Sequence, residues 1–191
     1  MKLYSLVLVP FLAATNFLEL KYSALPRNVV YLDKVIIIEV DRSASPLLYK
    51  LDDKSKYPRI IVDGNVDIQQ PINPLVDDSY FQIGIIYEGN KIIDRLTRKL
   101  LPPLIKNVLT ISPNGASEID FLDVSSDREL DWKQQIMQIK LTYKTVTRLI
   151  DGKFEIQSQL KEKNIVGLWF RSDGDDSGGK FKVTVNNLRL E

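Results

Sequence analysis

The chain has no cysteine and no histidine among its 191 residues. Without cysteine there can be no disulfide, iron–sulfur cluster, thiolate zinc ligand or thiol nucleophile. Without histidine there is no imidazole metal ligand, no Ser-His-Asp triad and no imidazole general base. Any chemistry falls to carboxylates, hydroxyls, Lys, Arg or Tyr. An excess of one charge is missing too. The 26 basic residues against 25 acidic ones leave a net charge of +1, whereas a dedicated nucleic-acid binder carries a basic excess. No segment has the roughly 20 apolar residues that a transmembrane helix needs. The lack of cysteine fits the cytosol and the bacterial envelope alike.

What is present is ordinary for a globular protein: 44% hydrophobic and 27% charged residues. The length suits one domain with a sizeable core. The start, MKLYSLVLVPFLAAT, has Lys2 ahead of an apolar run and small residues at Ala13 and Ala14. That order predicts a signal peptide over residues 1–15 and a single domain over 16–191, in a periplasmic or otherwise exported protein. The competing reading is a first core strand around Leu6 to Val9, which would leave the protein cytoplasmic.

Short strands dominate the pattern. Candidates are Phe17 to Tyr22, Val29 to Leu32, Val35 to Val40, Pro46 to Leu51, Arg59 to Val62, Tyr80 to Tyr87, Val108 to Ile111 and Glu118 to Val124. Asp33-Lys34 and Asp63-Gly64-Asn65 read as turns. Two stretches show helical spacing. One is Lys91 to Lys106, with Arg95, Arg98 and Lys99 off its apolar stripe and Pro102-Pro103 as its stop. The other is Asp131 to Ile150, despite three threonines that lower helix propensity. Phe154 to Lys163 reads as a short helix or connector. Ile165 to Arg171 and Lys180 to Leu190 read as a closing hairpin around a Gly- and Asp-rich turn. The count predicts a mainly β fold, an antiparallel jelly-roll-like β-sandwich with one or two helical insertions.

Three ordered motifs add to this. Ser43-Ala44-Ser45-Pro46-Leu47 follows an early strand, Asp77-Asp78 precedes a long strand, and Asp173-Gly174-Asp175-Asp176-Ser177-Gly178 follows an apolar one. Together with Trp132, which sits where the family also has a Trp before a helix, they resemble a bacterial family of exported proteins of unknown function (DUF 3047 type). The chain departs from that family at Gly174 and Asp176, where the family turn has Thr and Asn, and at Arg59 to Asp67, where it has a Trp-rich strand. The resemblance implies a jelly-roll-like sandwich and carries no known activity.

The candidate sites follow from residue types. Asp173, Asp175 and Asp176 offer hard oxygen ligands in a glycine-rich turn, as Ca²⁺ requires; the same residues also serve as ordinary turn caps. Trp169 alternates away from Val166, Leu168 and Phe170, on the side of Arg171. Across the expected hairpin, Lys182 and Asn186 alternate away from Phe181 and Val183. Trp169, Arg171, Lys182 and Asn186 are therefore the candidate sugar platform, unless a helix covers Trp169. Ser43 and Ser45 lack an activating partner. No catalytic residue is assigned. The expected function is a non-catalytic binding protein for a glycan or another cell-envelope component, with Ca²⁺ as a possible cofactor. The alternatives are an envelope assembly component and a carboxylate-dependent glycan hydrolase.

Overall fold

The period-two alternation that marks a half-buried strand runs through most of the chain. Among the described residues of the computed structural model there are thirteen strands and one named helix. The structure describes residues 5–9, 16–20, 25–90, 99, 101, 103–112, 114–125, 129–136 and 138–191. Most of the apolar first segment, residues 21 and 22 of the first strand candidate, and Arg95 and Arg98 of the basic helix candidate lie outside these.

In chain order the elements are β1 (Leu6–Val9), β2 (Phe17–Glu19), β3 (Val29–Leu32), β4 (Ile36–Asp41), β5 (Leu47–Ser55), β6 (Arg59–Gln70) and β7 (Ser79–Glu88). The helix α1 (Pro103–Ile111) follows, then β8 (Ala116–Ser125), β9 (Asp131–Ile136), β10 (Ile139–Arg148), β11 (Lys153–Gln159), β12 (Ile165–Asp173) and β13 (Lys180–Leu190). They form two sheets. The first runs β11-β6-β13-β4-β3, with β1 also paired to β13; the second runs β2-β5-β12-β7-β8-β10-β9. Pairing is antiparallel apart from β8 with β10, which are parallel. Successive strands from β4 to β7, and from β11 to β13, alternate between the sheets. The expected jelly-roll-like sandwich is therefore the fold.

The sheets close on Ile36, Ile38, Val40, Ile60, Val62, Phe81, Ile83, Ile85, Phe170, Val183 and Val185, each 2% exposed or less. A second apolar layer lies on the far side of the second sheet. There Leu101 and, from α1, Ile105, Val108 and Ile111 pack with Ile86, Ile119, Leu141, Val166 and Trp169. Leu6–Val9 is a strand of the first sheet, with Leu8 and Val9 in the inter-sheet core.

Five expectations are corrected. Asp131 to Ile150 is not a helix but the hairpin β9–β10. Ile139, Leu141 and Tyr143 are buried and Lys140 and Lys144 exposed, a strand alternation to which the β-branched threonines contribute. Val108 to Ile111 lies in α1 rather than a strand, and Pro103 is the first residue of that helix, as its fixed φ and missing N–H allow. Phe154 to Lys163 contains strand β11, not a short helix. Asp63-Gly64-Asn65 is no turn; β6 runs straight through it. Glycine is needed at that point because a Cβ on Gly64 would sit 2.3 Å from the Thr184 carbonyl oxygen and 2.6 Å from the Phe154 ring. Finally, β12 and β13 are not a hairpin. They belong to opposite sheets, and the acidic turn between them carries the chain across the sandwich.

Candidate functional site

The outer face of the first sheet is built by the alternate residues that the core does not take. On β13 these are Lys180, Lys182, Thr184 and Asn186, opposite the buried Phe181, Val183 and Val185. Register carries the pattern across the sheet. Tyr31, Ile37, Thr184, Asn65 and Lys153 form one row from β3 through β4, β13 and β6 to β11, and Val29, Glu39, Lys182 and Asp67 form the next. All are exposed or half-buried. Lys182 stands between two carboxylates, so cation and anion alternate along its row. Tyr31, 51% exposed, ends the first row.

Two depressions lie on this face. One, about 350 Å³, is lined by Arg27, Glu39, Lys182, Gln69 and the ion pair of Lys180 with Asp41 at 3.0 Å. The other, about 590 Å³, lies under the β10–β11 turn and is lined by Asp63, Asn65, Asn186, Lys153, Glu155 and Arg148. At its floor the Asn186 amide donates to Asn65 Oδ1 at 3.5 Å. Ile150, 70% exposed, stands on its rim.

The sugar platform proposed from sequence does not assemble. Trp169 is 1% exposed beneath α1, in the second apolar layer. A helix does cover it, and that helix is α1. Trp169 opposes Gly84, and Gly84 opposes Phe121, which in turn faces Tyr143 and then Trp132. Phe121 and Tyr143 stack at 4.6 Å, and Tyr143 and Trp132 at 4.0 Å. A Cβ on Gly84 would reach within 2.8 Å of the Phe121 ring, so glycine makes room for this aromatic row. Arg171 shares the outer face of the second sheet with Trp169. Lys182 and Asn186 are on the first sheet, one at each depression, so the four residues are not brought together.

Beside the aromatic row runs a polar one. Arg171, Gln82, Asp123 and Thr145 oppose one another across β12, β7, β8 and β10. Gln82 donates to Asp123 Oδ1 at 3.0 Å, Ser79 to the same oxygen at 2.6 Å, and Thr145 to Oδ2 at 3.2 Å. Burial pushes the Asp123 carboxyl up, and these donors draw it back only in part. Sequence reasoning passed over Asp123; its one signal is a carboxylate set in the apolar run Phe121 to Val124.

The acidic turn and the Asp77-Asp78 pair, far apart in sequence, meet at the end of the sandwich. The Asp78 carboxylate accepts the Ser177 N–H at 2.8 Å and the Asp176 N–H at 3.4 Å. Asp77 meets Arg171: its carbonyl accepts from Nη2 at 3.0 Å, and its carboxylate lies 3.7 Å from the same nitrogen. Asp173 is 6% exposed, with Oδ2 held by Arg171 Nε at 3.0 Å and Nη2 at 2.6 Å. Burial, reinforced by neighbouring Asp175, holds its pKa up at about 6 against the pull of Arg171. Ser43 and Ser45 are structural as well. Asn28 accepts from the Ser43 hydroxyl at 2.7 Å, its backbone N–H donates to Ser45 Oγ at 3.1 Å, and its amide donates to the Ser172 carbonyl at 2.8 Å.

No protein-family model matches the chain, and no curated protein matches its sequence. Solved structures do. The family 11 carbohydrate-binding module of cellulosomal cellulase Lic26A-Cel5E of Clostridium thermocellum aligns over 100% of this chain and 95% of its own, at 11% identity and TM-score 0.49. A Clostridium thermocellum family 11 module in complex with a β-1,3-1,4-mixed-linked tetrasaccharide aligns over 97% and 94%, at 12% identity and TM-score 0.47. The xyloglucanase domain of NopAA, a type three effector from Sinorhizobium fredii, aligns over 94% and 100%, at 6% identity and TM-score 0.42. These are likenesses of fold alone, and the site is read from this chain's own residues.

Proposed function

We propose that the protein is a non-catalytic glycan-binding module whose ligand lies along the outer face of the first sheet. The carrying observation is the pair of in-register polar rows joining two depressions, with exposed Tyr31 at one end. Sugars present hydroxyls that both donate and accept, and carboxylates, amides and ammonium groups side by side answer both. An exposed aromatic ring supplies the apolar face on which a pyranose stacks. Alternating charge along the Lys182 row favours a neutral polymer over a polyanion.

Affinity electrophoresis against soluble neutral and acidic polysaccharides tests this reading. Mixed-linked β-1,3-1,4-glucan belongs in the panel, since one of the similar structures holds such a tetrasaccharide. Retention by a neutral polymer, weakened about tenfold or more in Lys182→Ala or Asn65→Ala, is the expected result. Migration unchanged by every polymer would overturn it. A second reading, an assembly component, draws on Val29 and Tyr31, both about half exposed on edge strand β3. It predicts self-association or co-purification lost in Tyr31→Ser, with no polysaccharide retention.

A further inference from the structure

Four strands end the two sheets, and three of them carry charge. β11 exposes Lys153 and Glu155, β9 exposes Asp131 and Lys133, and the three-residue β2 holds Glu19. Charge on an open edge discourages pairing with another chain. β3, Val29-Val30-Tyr31-Leu32, has none. No described strand pairs with its outer edge. Val29 and Tyr31 are each about half exposed, while Val30 and Leu32 pack toward the core. Charges stand just beyond the strand, Arg27 at one end and Asp33 at the other, both exposed. Arg27 lines the smaller depression with Val29, so the two share the sheet's outer face. Asp33 lies two residues past Tyr31, and its N–H still reaches the Val35 carbonyl at 3.2 Å, so the β3–β4 ladder extends to it.

We propose that β3 pairs antiparallel with β3 of a second copy, about a two-fold axis at Val30. Residues directly opposite each other in an antiparallel pair share a face. Keeping the two outer faces on one side leaves registers centred on Val29, Val30 or Tyr31. Centred on Val30, Val29 meets the partner's Tyr31 and Arg27 meets the partner's Asp33, each contact occurring twice. The first is an aromatic–β-branched pair and the second an ion pair, both favourable across strands. Centring on Tyr31 sets Asp33 against the partner's Val29. Centring on Val29 sets Asp33 against the partner's Leu25 and Arg27 against the partner's Tyr31. Only the Val30 register covers the apolar side chains and matches both charges. It joins the two first sheets edge to edge, so the row ending at Tyr31 runs on into the row that begins at the partner's Val29. This dimer rests on the open β3 edge of the assembly reading, to which it adds a partner and a register, and it needs no polysaccharide.

The test is sedimentation equilibrium of the full chain from about 5 µM to about 500 µM, a range suited to the small, weak interface of a short strand. The parent is expected to reach a dimer within it. Arg27→Asp and Asp33→Arg each set like charges opposite one another twice, and each should raise the dissociation constant about tenfold or more. Mixing the two variants restores both ion pairs in the heterodimer, so the mixture should dimerise as the parent does. That rescue also shows that both variants fold. Because the chain has no cysteine, introduced thiols report the register. Val29→Cys mixed with Tyr31→Cys should cross-link on oxidation, since opposite residues lie within the roughly 4.4–6.8 Å that a disulfide spans. Neither variant should cross-link alone. A parent that stays monomeric, charge variants that dimerise as the parent does, a mixture that fails to, or cross-linking of one cysteine variant by itself would overturn the proposal. If Tyr31→Ser abolishes association and the charge variants do not, the assembly reading stands and this dimer falls.

Discussion

Glu118 shows how a single side chain can couple this fold to pH. Its side chain is 5% exposed and is met by Lys161 and by Lys163 at 2.9 Å, with Lys140 at 3.5 Å. Burial pushes its pKa up, but hydrogen bonds and charge from Lys161 and Lys163 outweigh burial and bring it to about 2. A carboxylate with a depressed folded pKa stabilises the protein above its unfolded value, and that contribution disappears as pH falls from about 4.5 toward 2. The three lysines are about half exposed, so solvent screening reduces the effect below what the full shift implies. Glu118→Gln should cost about 1–2 kcal/mol at pH 7 and flatten the loss of stability across that acid range. Urea unfolding of parent and variant at a series of pH values checks both. A variant as acid-sensitive as the parent would remove Glu118 from the account.

Among the elements, those with plain alternation are legible in the sequence. Phe181, Val183 and Val185 against Lys182, Thr184 and Asn186 declare β13 and its two faces, and Tyr80 to Tyr87 declares a fully buried strand. The longest misread element, Asp131 to Ile150, has a plain physical cause. Ile139 and Tyr143 satisfy a helical and a strand spacing together, and only the neighbouring β8 and β9 decide for the strand. Trp169 is the same problem at the site. Alternation correctly sets it opposite the inter-sheet core, but nothing local announces that α1 lays a second apolar layer over that side. The meeting of Asp78 with the acidic turn is likewise invisible locally, because it depends on which sheet each strand joins.

The first strand carries a prediction at the same scale. Leu8 and Val9 are 3% and 0% exposed, and β1 pairs with the last residues of β13. Removing residues 1–15 uncovers Leu188 and Leu190 as well as withdrawing two buried aliphatic side chains. The shortened chain should therefore lose about 3 kcal/mol or more relative to the full one, read as a lower urea midpoint. A shortened chain as stable as the full one would instead fit a leader that the domain does not need.

For the molecule as a whole, the question is whether its two apolar layers melt together. They share the second sheet: on β12, Leu168 and Phe170 face the first sheet while Val166 and Trp169 face α1. The chain also passes between the sheets at β4–β5–β6–β7 and at β11–β12–β13, so neither layer is contributed by a separable stretch of sequence. A strand that serves both layers cannot lose one without weakening the other, and a single transition follows. Ile105 is 1% exposed against the second sheet, and Ile105→Ala should cost about 2–5 kcal/mol, the usual loss for emptying an aliphatic position. At this chain length each kcal/mol lowers the midpoint by about 2–4 °C. Tryptophan fluorescence reports the α1 side through Trp169 and the β9 edge through Trp132, while far-ultraviolet dichroism reports both sheets. In Ile105→Ala the two signals should fall together at one lowered midpoint. A fluorescence change well below an unmoved dichroism transition would mean that the layer over the second sheet unfolds on its own.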